Sequence, residues 1–213
     1  MKQEHLCEIE HFMLSNTGDA AHDADHIYRV LSKALQIAKN YDVNYDILVA
    51  ACLLHDIGRA AQFADPTICH AEFGSEMAYK FLLELGWSQE NCRQVKHCIL
   101  THRFRNDLPP ETIEAKILFD ADKLDVCGAL GIARTLQYEG KMNYSIHEFV
   151  KEYDRKLIKL YDRFYTETAK QMAYSGKTIL EMFRKELTEQ LDQAEAQKWL
   201  KEAKMSPQKS SEL

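Results

Sequence analysis

His55 and Asp56 stand side by side at the end of the apolar run 47–54 and are followed at once by Ile57-Gly58-Arg59. An imidazole and a carboxylate closing a buried segment are costly to desolvate unless something positive meets them, and a divalent metal ion does so. Two further ligand types bracket the pair: His26 upstream, in Asp23-Ala-Asp-His26, and Asp122 downstream, in Asp120-Ala-Asp-Lys-Leu-Asp125. His26, His55, Asp56 and Asp122 together read as a centre for one divalent ion, and Mn, Mg, Fe, Ni, Co and Zn are all compatible with two imidazoles and two carboxylates. An ion so held keeps open positions for water and a phosphoryl oxygen. It lowers the pKa of that water toward neutrality and draws charge from phosphorus, so hydrolysis of a phosphoester or phosphoanhydride is the natural reaction. Asp56 could hold the ion through one oxygen and take the water's proton on the other; His102 and Glu72 are alternative bases. Arg59, just past the dyad, and Lys123, beside Asp122, are the cations best placed to neutralise substrate phosphate, the first by a guanidinium fork and the second as a point charge.

Helices must position these groups. Gly and Pro number only 8 and 4 in 213 residues, which removes most turn signals and favours an all-α fold. Ile27, Val30, Leu31, Ala34, Leu35 and Ala38 recur at the spacing of an amphipathic helix, with Asp23 as N-cap, so His26 falls in the first turn and His22-Asp23 reads as a helix entrance. Asp46 is expected to cap a helix over 47–55, and Gly58 lets the backbone leave it just after the dyad. A helix over 71–85 stops at Gly86, and Ser88 caps the next, through Val95, Ile99 and Leu100 to His102. Pro109-Pro110 separates the halves. From Thr112 a run through Ile113, Ile117, Leu118, Ala121, Leu124, Ala129 and Ile132 carries the acids, with Gly128 and Gly131 permitting close packing or a bend. Asp120 and Asp122 lie on different faces of it, and Asp125 is expected to orient a partner rather than bind the ion. The stretch 146–173 carries Phe149, Tyr153, Leu157, Leu160, Tyr161, Phe164 and Tyr165 at helical spacing, an aromatic stripe that reads as core or as the surface of a homodimer. A charged amphipathic helix continues over 180–191, and 204–213 reads as a frayed tail.

Composition narrows the partners. With 46% hydrophobic residues the chain can bury one good core, and a net charge of −6 without a dense Lys/Arg cluster argues against a large nucleic-acid or membrane surface and for small ligands. The six cysteines stand singly with no Cys-x-x-Cys pair, as in a reducing cytosol. No apolar run approaches the ~20 residues needed to span a bilayer, and the start of the chain lacks the apolar core of a signal peptide, so a cytoplasmic protein is expected.

With the motifs placed on helices, a resemblance emerges. His26, then His55-Asp56, then Asp122, in His22-Asp-Ala-Asp-His26-Ile-Tyr-Arg29-Val, Leu54-His-Asp-Ile-Gly-Arg59, His70-Ala-Glu-Phe-Gly74, Ile99-Leu-Thr-His102 and Phe119-Asp-Ala-Asp-Lys-Leu-Asp125, resemble the HD-domain family of metal-dependent phosphohydrolases. The resemblance implies an HD-type helical bundle over residues 1–190, with the metal site between core helices, and a charged helix end and tail over 191–213. It places the acidic ligand at Asp122. Members with two metals draw two more histidines from the intermediate helices, where His70 and His102 stand; the alternative is that these two line the pocket and contact substrate phosphate above a single ion. The bacterial subgroup resembled implies a nucleotide substrate. Phe63, Phe73, Phe104 and Tyr138 could stack a base, but each reads as core. Two rivals follow from the same residues: a di-iron oxygenase using all six His and Asp ligands, and a regulatory nucleotide-binding module with little turnover.

Overall fold

The structure, a computed structural model, describes residues 1–17, 24–103, 108–141, 143–156 and 158–205. Among them the chain is helical throughout: α1 (Gln3–Ser15), α2 (Ala24–Ala38), α3 (Tyr45–Leu54), α4 (Arg59–Ala64), α5 (His70–Glu84), α6 (Gln89–Thr101), α7 (Ile113–Leu124), α8 (Gly128–Lys141), α9 (Ile146–Lys156), a short 3-10 helix (Ile158–Asp162), α10 (Glu167–Gln190) and α11 (Ala194–Met205). Helix α3 is the axis. Its residues Ile47, Leu48, Ala50, Ala51, Cys52, Leu53 and Leu54 are all buried, as a helix apolar on every side must be, and α1, α2, α5, α6 and α7 pack around it. The amphipathic α2 turns His26, Ile27, Val30, Ala34, Ile37 and Ala38 into this core.

Capping sets where the helices begin. Asn44, not Asp46, caps α3: its side-chain oxygen accepts from the backbone N–H of Asp46 at 3.1 Å and of Ile47 at 3.3 Å. Asp46 instead pairs with the N-terminal ammonium of Met1. Ser88 caps α6 as the sequence predicts, and Thr112 caps α7, each accepting an N–H three residues on at 3.2 Å. Asp23, the expected cap of α2, lies outside the described residues, as do His22, Phe104, Leu157 and 206–213 of the expected tail.

Gly58 is required for a reason other than the expected one. Its φ of −83° and ψ of −1° suit any residue, but a Cβ there would stand 2.2 Å from the His70 carbonyl oxygen and 2.8 Å from the Gly74 nitrogen. The first turn of α5 therefore rests directly on the backbone that follows His55-Asp56. Gly128, at φ +62°, makes the left-handed turn between α7 and α8 and meets Gly176 of α10, whose Cα would lie 3.2 Å from an added Cβ.

The aromatic stripe does not form one helix. Helix α9 ends at Lys156 and α10 starts only at Glu167, capped by Thr166. The break is tertiary in origin: the buried Asp120 carboxylate accepts from the Tyr165 N–H at 2.9 Å, the Thr166 N–H at 2.7 Å and the Thr166 hydroxyl at 2.6 Å, drawing this segment out of helical geometry. Most of the stripe is core all the same. Phe149 and Tyr153 join Ile132 and Leu180 in a second apolar cluster, where the Tyr153 hydroxyl donates to the Leu180 carbonyl at 2.7 Å, and Phe164 belongs to the main core.

Replacing Gly58 with Ala should cost about 1–3 kcal/mol in urea-unfolding stability, since backbone atoms cannot yield to the added methyl as a side chain would. An unchanged unfolding midpoint would contradict the contact.

Candidate metal centre

The starts of α2 and α5 and the ends of α3, α6 and α7 meet at one place. They carry His26, His70, His55-Asp56, His102 and Asp122 respectively, and of these His26, His55, Asp56, His70 and His102 are each no more than 2% exposed. Every imidazole is anchored through Nδ1. His55 Nδ1–H donates to the Cys52 carbonyl at 2.7 Å and His102 Nδ1–H to the Ile99 carbonyl at 2.5 Å, each reaching back three residues to a carbonyl in the last turn of its helix. His26 Nδ1–H donates to Asp125 Oδ2 at 2.8 Å, and His70 Nδ1 meets Gln62 Oε1 at 2.7 Å.

With the protons on Nδ1, each Nε2 presents a lone pair to the centre. The Nε2 atoms of His26 and His55 are 3.4 Å apart, and those of His70 and His102 are 3.3 Å apart. Asp56 lies between the pairs. Its Oδ2 is 3.7 Å from His26 Nε2 and 3.6 Å from His55 Nε2, and its Oδ1 is 3.4 Å from His70 Nε2 and 3.6 Å from His102 Nε2. Lone pairs and carboxylate oxygens gathered this closely repel one another unless a cation lies among them, and this donor set is the one that hard and borderline divalent ions take. The residues fit such an ion in two overlapping groups, His26/His55/Asp56 and Asp56/His70/His102, each with its ligand atoms within 4.8 Å of one another. Asp122 borders the first group, its Oδ1 3.5 Å from His26 Nε2.

Burial and neighbouring charge hold the protonation states that metal binding needs. Burial lowers the pKa of His102, and it lowers that of His26 despite the opposing pull of Asp125. His70 is pushed down to about 2 by burial and by the Arg59 and His102 charges beside it. Burial alone would raise Asp122 and Asp125, but stronger effects win. Lys123 and the imidazoles hold Asp122 well below the usual carboxylate range, and His26, Arg29 and Lys33 do so for Asp125.

Both predicted cations are present, each tied to a carboxylate. Arg59 Nε donates to Asp56 Oδ1 at 2.9 Å, and Lys123 Nζ donates to Asp122 Oδ2 at 2.6 Å and to the His102 carbonyl at 3.2 Å. Asp125, completely buried, gathers more partners than its expected role required: besides His26 it accepts from Arg29 Nε at 3.1 Å, from Lys33, and from Arg134 Nη1 at 2.6 Å. Arg29 and Lys33 stand three and seven residues after His26 on the same face of α2, a spacing that could have disclosed them. Gln62, one turn into α4, carried no such signal.

Two expectations are corrected. Glu72 is not at the centre: two residues past His70 it lies about 200° around α5 and is exposed, lining a groove with Cys69, Phe73, Glu76, Lys96 and Leu100. Phe63, Phe73 and Tyr138 are not core residues but surface ones, 55%, 43% and 40% exposed.

Asp125→Ala would leave Arg29, Lys33, Arg134 and the His26 Nδ1–H facing a gap. Removing a buried ionic partner in this way should destabilise the protein by about 3 kcal/mol, read from urea unfolding of metal-free samples. A loss no larger than that of an ordinary surface substitution would show the cluster to be energetically idle.

Residues 23–127 match the sequence model of the HD domain. Over 186 residues the chain is 27% identical to YpgQ of Bacillus subtilis, covering 84% of this chain and 88% of that one. The crystal structure of YpgQ in complex with ADP superposes with a TM-score of 0.71 at 25% identity, over 88% of this chain and 98% of that chain. An HD-superfamily hydrolase of Bacillus thuringiensis superposes with a TM-score of 0.68 at 30% identity, over 89% and 98% of the two chains. The 3'-5' exoribonuclease YhaM of Listeria monocytogenes is 30% identical over 115 residues, which are 47% of this chain and only 37% of the exoribonuclease. Carrying the His, His-Asp and Asp pattern on the helices where that family's model aligns, the chain belongs to the HD-domain superfamily.

Proposed function

We propose that this protein is a metal-dependent phosphohydrolase that cleaves a phosphoester or phosphoanhydride bond in a nucleotide. The observation that carries the reading is the charge balance of the centre. Asp56 is met by Arg59, Asp122 by Lys123, and Asp125 by Arg29, Lys33 and Arg134, so each of these three carboxylates holds a cation before any metal ion is counted. In a chain of net charge −6 this local gathering of cations, enlarged by a divalent ion, favours a polyanionic ligand. The complex of YpgQ with ADP and the exoribonuclease activity named for YhaM both support a phosphate ester or anhydride of a nucleoside as that ligand.

His26, His55, Asp56 and Asp122 would hold the ion. When bound it supplies Lewis acidity toward a phosphoryl group and a water of lowered pKa at neutral pH. The protein's own groups do the rest. Arg59 and Lys123, on the Asp56 and Asp122 sides of the centre, bind the substrate's phosphate oxygens and fix their orientation. His102, neutral through burial and with its Nδ1–H committed to Ile99, offers Nε2 to take the proton of the attacking water. The P–O bond to the leaving group breaks and phosphate or pyrophosphate is released. None of the cysteines forms a disulfide among the described residues and three are buried, which supports a reducing cytoplasm as the compartment.

Purified protein supplied in turn with several divalent ions should release phosphate or pyrophosphate from at least one member of a nucleoside mono-, di- and triphosphate panel. His55→Ala and Asp122→Ala should each lower metal content and turnover by about a hundredfold or more while the far-ultraviolet circular dichroism stays helical. Full activity in either variant, nucleotide binding without turnover, or iron-dependent oxygen consumption in place of phosphate release would overturn the reading.

A further inference from the structure

Lys123, on the Asp122 side of the centre, rests over an aromatic ring. Its Nζ stands 5.1 Å from the centre of the Phe119 ring, one turn earlier on α7. Phe119 in turn meets Tyr165 edge to face, with ring centres 5.0 Å apart and planes at 85°. Phe119, Asp122 and Lys123 stand at the three-and-four spacing of one helix face, so Tyr165 lies beside the ridge that carries both the acid and the cation.

The two rings differ in exposure. Phe119 is buried, whereas Tyr165 is 41% exposed. An edge-to-face contact covers at most one face of a ring, so aromatic surface of Tyr165 remains accessible. Its mounting is rigid all the same. The Tyr165 N–H donates to Asp120 Oδ1 at 2.9 Å, and the same buried carboxylate holds the N–H and the hydroxyl of Thr166. Desolvating a carboxylate is costly, and three hydrogen bonds offset that cost at the place where the chain leaves helical geometry. Exposure alone would not single out Tyr165, because Tyr45, Tyr144 and Tyr174 are all more exposed. Its connection to Lys123 does.

Resting on the nucleotide reading above, we propose that Tyr165 is the platform on which the substrate's nucleobase stacks. Lys123 holds a phosphate oxygen at the end of α7, and the base lies one turn back along that helix, against a ring that Phe119 and Asp120 keep in place. Two ring-sized steps, of 5.1 Å and 5.0 Å, lead from the Lys123 ammonium to the Tyr165 ring, a span that a ribose and its phosphates bridge. Tyrosine suits the task, since a wide, flat side chain with two rotatable bonds loses little freedom when a ligand covers it. Phe63 and Phe73 are exposed too, but they stand on α4 and α5, with Arg59 and His70.

Binding of a nucleotide that resists cleavage tests this apart from turnover. Two compounds are titrated calorimetrically into Mn2+-loaded protein: α,β-methylene-ADP, whose phosphorus atoms are joined through carbon, and methylenediphosphonate, the same anion without a nucleoside. The wild type should bind the nucleotide more tightly than the bare anion. Tyr165→Ala and Tyr165→Leu should each weaken nucleotide binding about tenfold and leave methylenediphosphonate unchanged, and Phe63→Ala should alter neither. Tyr165→Trp should keep the nucleotide affinity, and its added indole emission should be quenched on binding beyond any change in Trp87 and Trp199 of the wild type. Equal nucleotide affinity in wild type and Tyr165→Ala, no advantage of the nucleotide over the bare anion, or a parallel loss of both compounds would overturn the proposal and leave the phosphohydrolase reading standing. A wild type that binds neither compound would overturn both.

Discussion

The centre depends on where four protons sit. A neutral imidazole is a donor at one nitrogen and an acceptor at the other, so whatever binds the outer nitrogen decides what the inner one can do. Here the outer nitrogens of His55 and His102 meet carbonyls in the last turns of α3 and α6, groups that helix geometry leaves without an intrahelical partner. Two helix ends thereby fix the tautomers of two imidazoles with no residue set aside for the purpose. His26 achieves the same result with a carboxylate and His70 with a carboxamide, so the four rings share an orientation but differ in how firmly it is imposed.

That difference gives the centre a direction. The carboxylate behind His26 is itself held by Arg29, Lys33 and Arg134, whereas Gln62 carries no charge to reinforce His70. Asp56 joins the two sides through its separate oxygens, and the cation that Arg59 contributes falls on the weaker one. Burial favours the neutral forms of His26, His70 and His102 and lets charge act at close range, so a few side chains outweigh the acidity of the chain as a whole.

Much of this was legible in the sequence because it is written in helical spacing. The scarcity of Gly and Pro, the stripe from Ile27 to Ala38 and the buried run before His55 define an all-α core with its candidate ligands at helix ends, and the HD-domain pattern ties those residues together. What escaped was set by contacts between elements distant in sequence. Asp120 breaks the helical stripe at Tyr165 and Thr166, 45 and 46 residues away, and spacing alone cannot reveal a carboxylate that competes for backbone N–H groups. Asp46 looked like a cap because of its residue type, yet Asn44 reaches the same N–H groups from an extended backbone. Gly58 was read through its conformational freedom when its meaning is the space it leaves for His70. The surface positions of Phe63, Phe73 and Tyr138 likewise depend on which faces other helices cover.

Asp125 bears on how the protein comes into being. It joins His26, 99 residues earlier in the chain, to Arg134, nine residues later. During synthesis the first histidines leave the ribosome long before this carboxylate does, so the ring of His26 has nothing to fix its orientation until most of the bundle has been made. A half-finished chain offers scattered imidazoles and no ordered cage. The cage is thus completed only when the chain has been made as far as Asp122 and Asp125, well past its midpoint.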